Sequence, residues 1–207
     1  YRLQLDGLAG ALSDRGVRAA LLTMTQTPVA LAVYEWSGPE QARLIQDWQE
    51  VRDQATLDQI IARLRGTGRV AADPSTAIGS ALKSGVALLT KRSDCGKLTL
   101  DLSGDGKSNT GPHPRSVSAP ENITVNALVI GSDAPAQTGN SELAAYFQAY
   151  VVSGPDAFVE TALGFSDYER AMVRKLKREL QGMNLSNHPA PHRNRIAQVD
   201  IQQADTK

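Results

Sequence analysis

One stretch of the sequence, Lys97-Leu-Thr-Leu-Asp-Leu-Ser-Gly-Asp-Gly-Lys-Ser-Asn109, joins a strand pattern to residues that could bind a cation or a substrate. Its alternating leucines predict a buried strand, and Ser103-Gly-Asp-Gly106 predicts a polar, glycine-rich loop directly after it. In open α/β sheets, ligands bind at the carboxyl ends of the strands, where such loops carry exposed polar groups. Asp105 is therefore the first candidate for a carboxylate that contacts a metal ion or a substrate.

Two other kinds of site share part of this pattern. Asp101-Leu-Ser-Gly-Asp-Gly106 matches the first half of an EF-hand calcium loop, but the place of its bidentate glutamate is taken by Pro112. Gly104-Asp-Gly106 with Asn109 resembles the last acidic motif of haloacid-dehalogenase-type phosphatases. Those enzymes also need an Asp-x-Asp nucleophile motif, which this sequence does not contain. Each alternative therefore lacks a residue or motif that its family needs.

Helices and strands alternate around this stretch. Apolar spacing and turn residues predict helices over 2–13, 57–64, 76–90, 142–151 and 166–180, and strands over 29–36, 43–48, 98–103, 123–130 and 157–162. This order predicts a doubly wound, mostly parallel sheet with helices on both faces and one antiparallel edge strand. Four basic residues of the last helix are interpreted as a solvated face: Arg174, Lys175, Lys177 and Arg178.

Composition limits the class of protein. The 207 residues carry 22 basic and 22 acidic side chains, so no overall charge favours nucleic acid. No apolar run approaches the ~20 residues of a membrane span. Cys95 is the only cysteine and can form no internal disulfide. We expect one domain over residues 1–183, followed by an extended or disordered tail over 184–207.

Five motifs in order resemble the von Willebrand factor type A domain, in particular a bacterial subgroup of unassigned function. They are Val33-Tyr-Glu-Trp-Ser-Gly38, Ser75-Thr-Ala-Ile-Gly-Ser-Ala-Leu82, Asp101-Leu-Ser-Gly-Asp-Gly-Lys-Ser-Asn109, Asn126-Ala-Leu-Val-Ile-Gly131 and Ser153-Gly-Pro-Asp-Ala-Phe158. The resemblance covers nearly the whole chain and implies a Rossmann-like fold. It also implies a binding module without enzymatic activity, located in the periplasm or outside the cell.

The resemblance further implies a metal-ion-dependent adhesion site. Thr76 and Asp105 match two of its ligands, and the ion is usually Mg²⁺, with Ca²⁺ or Mn²⁺ as alternatives. An open position on the ion accepts a carboxylate from a protein partner. Ser75, Ser103, Gly104 and Gly106 are expected to shape the loops around the ion, and Asn109 to orient a water near it. Hydroxyl and carboxylate oxygens are ligands that suit such a hard cation.

The sequence departs from this family in one respect. The Asp-x-Ser-x-Ser motif and the central strand before it do not occur, although that strand lies in the family between the strands matching 29–36 and 98–103. A sheet without it leaves two rows of buried backbone groups unpaired. We therefore expect roughly 15–30 further residues upstream, or a second chain that supplies or covers the strand. A structural or assembly subunit with a vestigial metal site is the alternative function, and a Mg²⁺-dependent phosphohydrolase is less favoured.

Overall fold

The structure is a computed structural model, and it describes residues 2–24, 27–131, 137–185 and 195–203, with the side chains of all of these except 137–141, 182–185 and 195–203. The helices are α1 (Arg2–Ser13), α2 (Arg15–Thr23), α3 (Gln54–Gly66), α4 (Ile78–Thr90), α5 (Gln137–Tyr150) and α6 (Tyr168–Leu185). The strands are β1 (Val29–Trp36), β2 (Ala42–Glu50), β3 (Cys95–Gly104), β4 (Ile123–Ile130), β5 (Val159–Ala162) and β6 (Arg195–Gln203). In the described part of the chain, no helix is both long enough and apolar enough to cross a membrane.

The strands form one sheet in the order β2-β1-β6-β3-β4-β5. Strands β1, β6, β3, β4 and β5 run parallel to their neighbours, and β2 pairs antiparallel with β1 at one edge. The predicted α/β class and mostly parallel sheet with an antiparallel edge strand are therefore confirmed. Because the carboxyl ends of the parallel strands meet at one edge, the loops after β1, β3 and β5 begin at that edge.

Strand β6 occupies the central position that the sequence analysis expected to be empty. It pairs with β1 along Val29–Trp36 and with β3 along Cys95–Ser103. The prediction that another chain or an upstream segment must fill this position is wrong for this structure, because residues 195–203 satisfy the backbone groups of both neighbours. The prediction of an extended or disordered tail is also wrong for residues 195–203, because they form β6. The rest of that prediction, over 186–194 and 204–207, lies outside the described residues.

Two apolar cores lie on the two faces of the sheet. On β1, Leu31 and Val33 belong to the core formed with α1, α3 and α6, whereas Tyr34 and Trp36 belong to the core formed with α4 and α5. All eight residues of β1 and all eight of β4 are buried. Continuous burial of this kind is expected for strands that are covered on both faces. Because the two layers of helices cover the faces of the sheet, a site can form along its edges, including the edge at the carboxyl ends of the parallel strands.

Candidate functional site

The loop that follows β3 lies against the residues that precede α4. The backbone N–H of Thr76 donates to Asn109 Oδ1 at 2.8 Å, and the backbone N–H of Asn109 donates to the carbonyl oxygen of Thr76 at 2.9 Å. The hydroxyl of Ser108 donates to the same carbonyl at 3.3 Å. These bonds tie two segments together that are distant in sequence. Asn109, which was expected to orient a water, uses its side-chain oxygen to position Thr76.

The two predicted metal ligands lie on these two segments. Thr76 is buried, whereas Asp105 directly follows β3 and is exposed. Among the described residues, and apart from the adjacent ones in the chain, a Cβ atom built on Gly106 has one neighbour within 4 Å, the hydroxyl oxygen of Thr76 at 3.9 Å. Gly106, the residue next to Asp105, therefore lies beside the Thr76 hydroxyl, at a distance where a side-chain Cβ would be in van der Waals contact with it. The structure brings the two segments together at the carboxyl edge of the sheet.

A third segment, at the end of β1, reaches the same place. The carbonyl oxygen of Ser37 accepts a hydrogen bond from the backbone N–H of Ala77 at 2.9 Å. A Cβ on Gly38 would lie 2.8 Å from the Cβ and Cγ of Asp73, so only glycine permits this approach. Asp73 Oδ1 in turn accepts from the backbone N–H of Ser75 at 2.8 Å, and hydrogen bonding from Ser75 lowers the pKa of Asp73. Three loops therefore converge beside Thr76.

Ser103 and Gly104 form the buried end of β3. The hydroxyl of Tyr168, on α6, donates to Ser103 Oγ at 3.1 Å. The Ser103 side chain is therefore engaged on the helix α6 side of the sheet, whereas Gly104 leads the backbone into the Asp105 loop. The structure separates Ser103 from the other residues that the sequence analysis assigned to the site.

The side-chain oxygens present at this edge limit which ion or group could bind here. Thr76 and Asp105 supply hydroxyl and carboxylate oxygens, which suit Mg²⁺, an ion that commonly keeps several waters and takes one or two carboxylates. Gly106, which has no side chain, lies next to the Thr76 hydroxyl. Within the described ranges, no three or more His, Cys, Asp or Glu side chains are grouped so that they could hold a metal ion.

A buried ionic cluster lies behind this edge, between the sheet and α6. Lys175 is fully buried and forms ion pairs with Asp101 on β3 and, at 2.7 Å, with Glu179 on α6. Asn126 Nδ2 on β4 donates to Glu179 Oε1 at 2.8 Å, and Asn126 Oδ1 accepts from the backbone N–H of Phe158 at 3.1 Å. Burial and the neighbouring charge of Asp101 raise the pKa of Glu179 well above its ordinary value, although Lys175 acts in the opposite direction.

This cluster corrects two interpretations of the sequence. Lys175 does not belong to a solvated basic face, because its side chain is fully buried. Asp101 is equally buried, which rules out the EF-hand alternative, since that loop needs Asp101 as a calcium ligand. The burial of Lys175 could have been predicted from the spacing of residues along the helix. Lys175 and Glu179 fall on the same helix face as the buried Met172 and Leu176.

Together, the fold and the site define an α/β protein whose parallel sheet carries a polar, loop-built site at its carboxyl edge. The chain belongs to the family described as "Protein of unknown function (DUF1194)", whose model matches residues 1–184. Strand β6 lies beyond the matched residues.

Two solved structures share this fold. Both are crystal structures of the pilus adhesin SpaC from Lactobacillus rhamnosus GG, one of them in an open conformation, and each has a TM-score of 0.59. The identities are 15% and 13%, and each alignment covers 87% of this chain. The chain spans 28% of the length of the adhesin structures. The likeness therefore concerns the fold. None of the curated proteins matches the chain.

Proposed function

We propose that this chain is an adhesion-type protein-binding module of the von Willebrand factor type A class. In this proposal Thr76 and Asp105 hold a divalent cation, most simply Mg²⁺, at the carboxyl edge of the sheet. The observation that carries the proposal is the pair of hydrogen bonds between Thr76 and Asn109, because they keep the Asp105 loop against the Thr76 hydroxyl.

The residues of the site have separate tasks in this proposal. The Thr76 hydroxyl and the Asp105 carboxylate bind the cation, which supplies a coordination position for a carboxylate of the partner protein. Asn109 positions Thr76, and Gly106 leaves the space beside the hydroxyl open. Ser75 and Gly104 shape the two loops. No nucleophile or general base is needed, so the module binds and does not catalyse.

The similarity to a pilus adhesin supports a binding role and a surface or periplasmic location. SpaC is named as an adhesin, and the matched part of that protein has the same fold as this chain. Because the likeness is one of fold, the partner of this chain is identified only by chemistry, as a protein that presents a carboxylate.

Titration calorimetry with Mg²⁺ tests the metal site. We expect Asp105→Ala and Thr76→Ala to lower the affinity for Mg²⁺ by about tenfold or more, with Asp58→Ala as the matched control. Asp58 is an exposed aspartate of α3 that pairs with Arg18. Circular dichroism and thermal melting establish that each variant is folded. Equal affinity in the wild type and the Asp105 variant contradicts the proposal. A folded wild type without measurable affinity favours the alternative, an assembly subunit with a vestigial site.

A further inference from the structure

A pocket opens where β1 and β2 meet, beside the loops of the candidate metal site. It has a volume of about 150 Å³, and its lining includes Glu35, Trp36, Glu40, Arg43 and the segment 70–72. A neighbouring depression of about 330 Å³ shares Glu40 and adds Asp73 to the same surface. Together we call them the hairpin pocket.

Glu35 is the most buried charged group of the hairpin pocket, with 5% of its side chain exposed. Its Oε1 forms an ion pair with Arg43, which is 38% exposed. The other oxygen, Oε2, is buried and accepts no hydrogen bond from any side chain or backbone group that the structure describes. A buried carboxylate oxygen without a donor is costly, so this pocket contains an acceptor that a bound donor group can satisfy.

The charges of the hairpin pocket favour a cationic donor. Among its described lining residues, three carry a carboxylate, namely Glu35, Glu40 and Asp73, and one carries a guanidinium, namely Arg43. Val70, Ala71 and Ala72 add an apolar wall. An apolar wall beside carboxylates matches a side chain that has a hydrocarbon stem and a charged end, which is the character of lysine and arginine.

We propose that the hairpin pocket is a subsite for a basic side chain of the partner protein. Because the hairpin pocket lies beside the candidate metal site, one partner can use both. Ser37, at the end of β1, bonds to Ala77, the residue after Thr76. A partner that offers a carboxylate to the cation can therefore place a nearby lysine or arginine between Glu35 and Glu40. The inference rests on the proposed function in one respect, namely that the basic side chain belongs to a partner protein. Binding of that side chain in the hairpin pocket needs no metal ion.

Nuclear magnetic resonance tests the subsite with simple probes, N-acetyl-arginine amide and N-acetyl-lysine amide, added to the ¹⁵N-labelled full chain in the presence of EDTA. The chain has two tryptophans, and their indole N–H signals serve as reporter and internal control. Trp36 lines the pocket, whereas Trp48 is not among the lining residues. We expect the Trp36 signal to shift saturably with one or both probes while the Trp48 signal stays in place. N-acetyl-norleucine amide, which lacks the charge, is expected to cause no shift.

Two variants and a control make the test specific. Glu35→Gln is expected to weaken binding of the basic probe by about fivefold or more, and the exposed Glu40→Gln by about two- to threefold. Glu50→Gln is the matched control, because Glu50 lies at the other end of the same hairpin and pairs with Arg52. If Glu35→Gln does not fold, the affinity of Glu40→Gln for the basic probe decides whether the subsite exists. Equal shifts with the uncharged probe, or unchanged affinity in the glutamine variants, overturn the subsite. Because EDTA is present, these results are independent of the Mg²⁺ titration.

Discussion

Asn109 and Thr76 are joined by two hydrogen bonds of opposite direction, although they lie 33 positions apart in the chain. Asn109 Oδ1 accepts from the Thr76 backbone, and the Asn109 backbone donates to the Thr76 carbonyl. This arrangement fixes the loop after β3 to the start of α4. The geometry of the candidate site therefore depends on a residue that supplies no ligand to it.

The first prediction concerns this positioning. Asn109→Ala removes the acceptor of the Thr76 N–H, so we expect the affinity for Mg²⁺ to fall about three- to tenfold and the free energy of unfolding to fall by about 1 kcal/mol. Calorimetry and urea unfolding measure the two effects. Asn122→Ala, at an exposed asparagine before β4, is the control. An Asn109 variant with full affinity for Mg²⁺ shows that the hydrogen bonds do not organise the site.

The sequence predicted the parts of the fold whose apolar pattern is strong. The segments 29–36 and 123–130 are nearly continuous apolar runs bounded by turn residues, and both are strands with the predicted bounds. Arg195–Gln203 alternates apolar residues with Gln198, Asp200 and Gln202, a pattern that is not typical of a strand at the centre of a parallel sheet. Its place follows from pairing with β1 and β3, which is tertiary information that no local pattern contains.

The site could be predicted only in outline. Asp105 was identified because a glycine-rich loop after a buried strand is a local signal, and Thr76 because of the family resemblance. The hydrogen bonds of Asn109 join it to Thr76, and the buried ion pair of Lys175 joins it to Asp101. In both cases the partners are far apart in sequence. For Lys175, four basic residues in one short stretch suggested solvent exposure, whereas its position on the helix decides its burial.

The second prediction tests the central strand. Val199 pairs with Ala32 on one side and Leu100 on the other. Val199→Pro removes a backbone N–H from this strand, and we expect the free energy of unfolding to fall by about 3 kcal/mol or more. Urea unfolding followed by circular dichroism measures the loss. Ser118→Pro, at an exposed loop residue before β4, is the control. Equal stability of the two variants contradicts the pairing of 195–203 with β1 and β3.

The third prediction concerns the buried lysine. Lys175→Met leaves the carboxylate of Asp101 buried without its cation and removes the donor of a hydrogen bond to Glu179, so we expect a loss of about 3–5 kcal/mol in the free energy of unfolding at neutral pH. Lys177→Met is the matched control on the same helix. Lys177 is 40% exposed and pairs with Asp14 at 2.8 Å, so its loss should cost no more than about 1 kcal/mol. Similar losses in both variants would show that the burial of the Lys175 charge has no energetic consequence.

The fourth prediction is a pH dependence caused by Glu179. Burial and the charge of Asp101 raise the pKa of Glu179 above its ordinary value of 4.5, so the folded chain retains a proton that the unfolded chain releases. The stability from this proton is fully present below the pKa of the unfolded chain and is lost as the pH rises towards the folded pKa. Glu179→Gln has no such proton to lose and keeps an oxygen that can accept from Lys175 and Asn126.

We therefore expect the stability of Glu179→Gln relative to wild type to increase as the pH rises above about 4.5, by at most about 1.4 kcal/mol per pH unit. Urea unfolding at several pH values measures the difference. Glu160→Gln is the control, because Glu160 pairs with Arg174 and retains 21% side-chain exposure. Parallel pH profiles for wild type and Glu179→Gln would mean that Glu179 is ionised in the folded chain. The cluster would then hold two carboxylates against one lysine, and Lys175→Met would have to be still more destabilising than expected above.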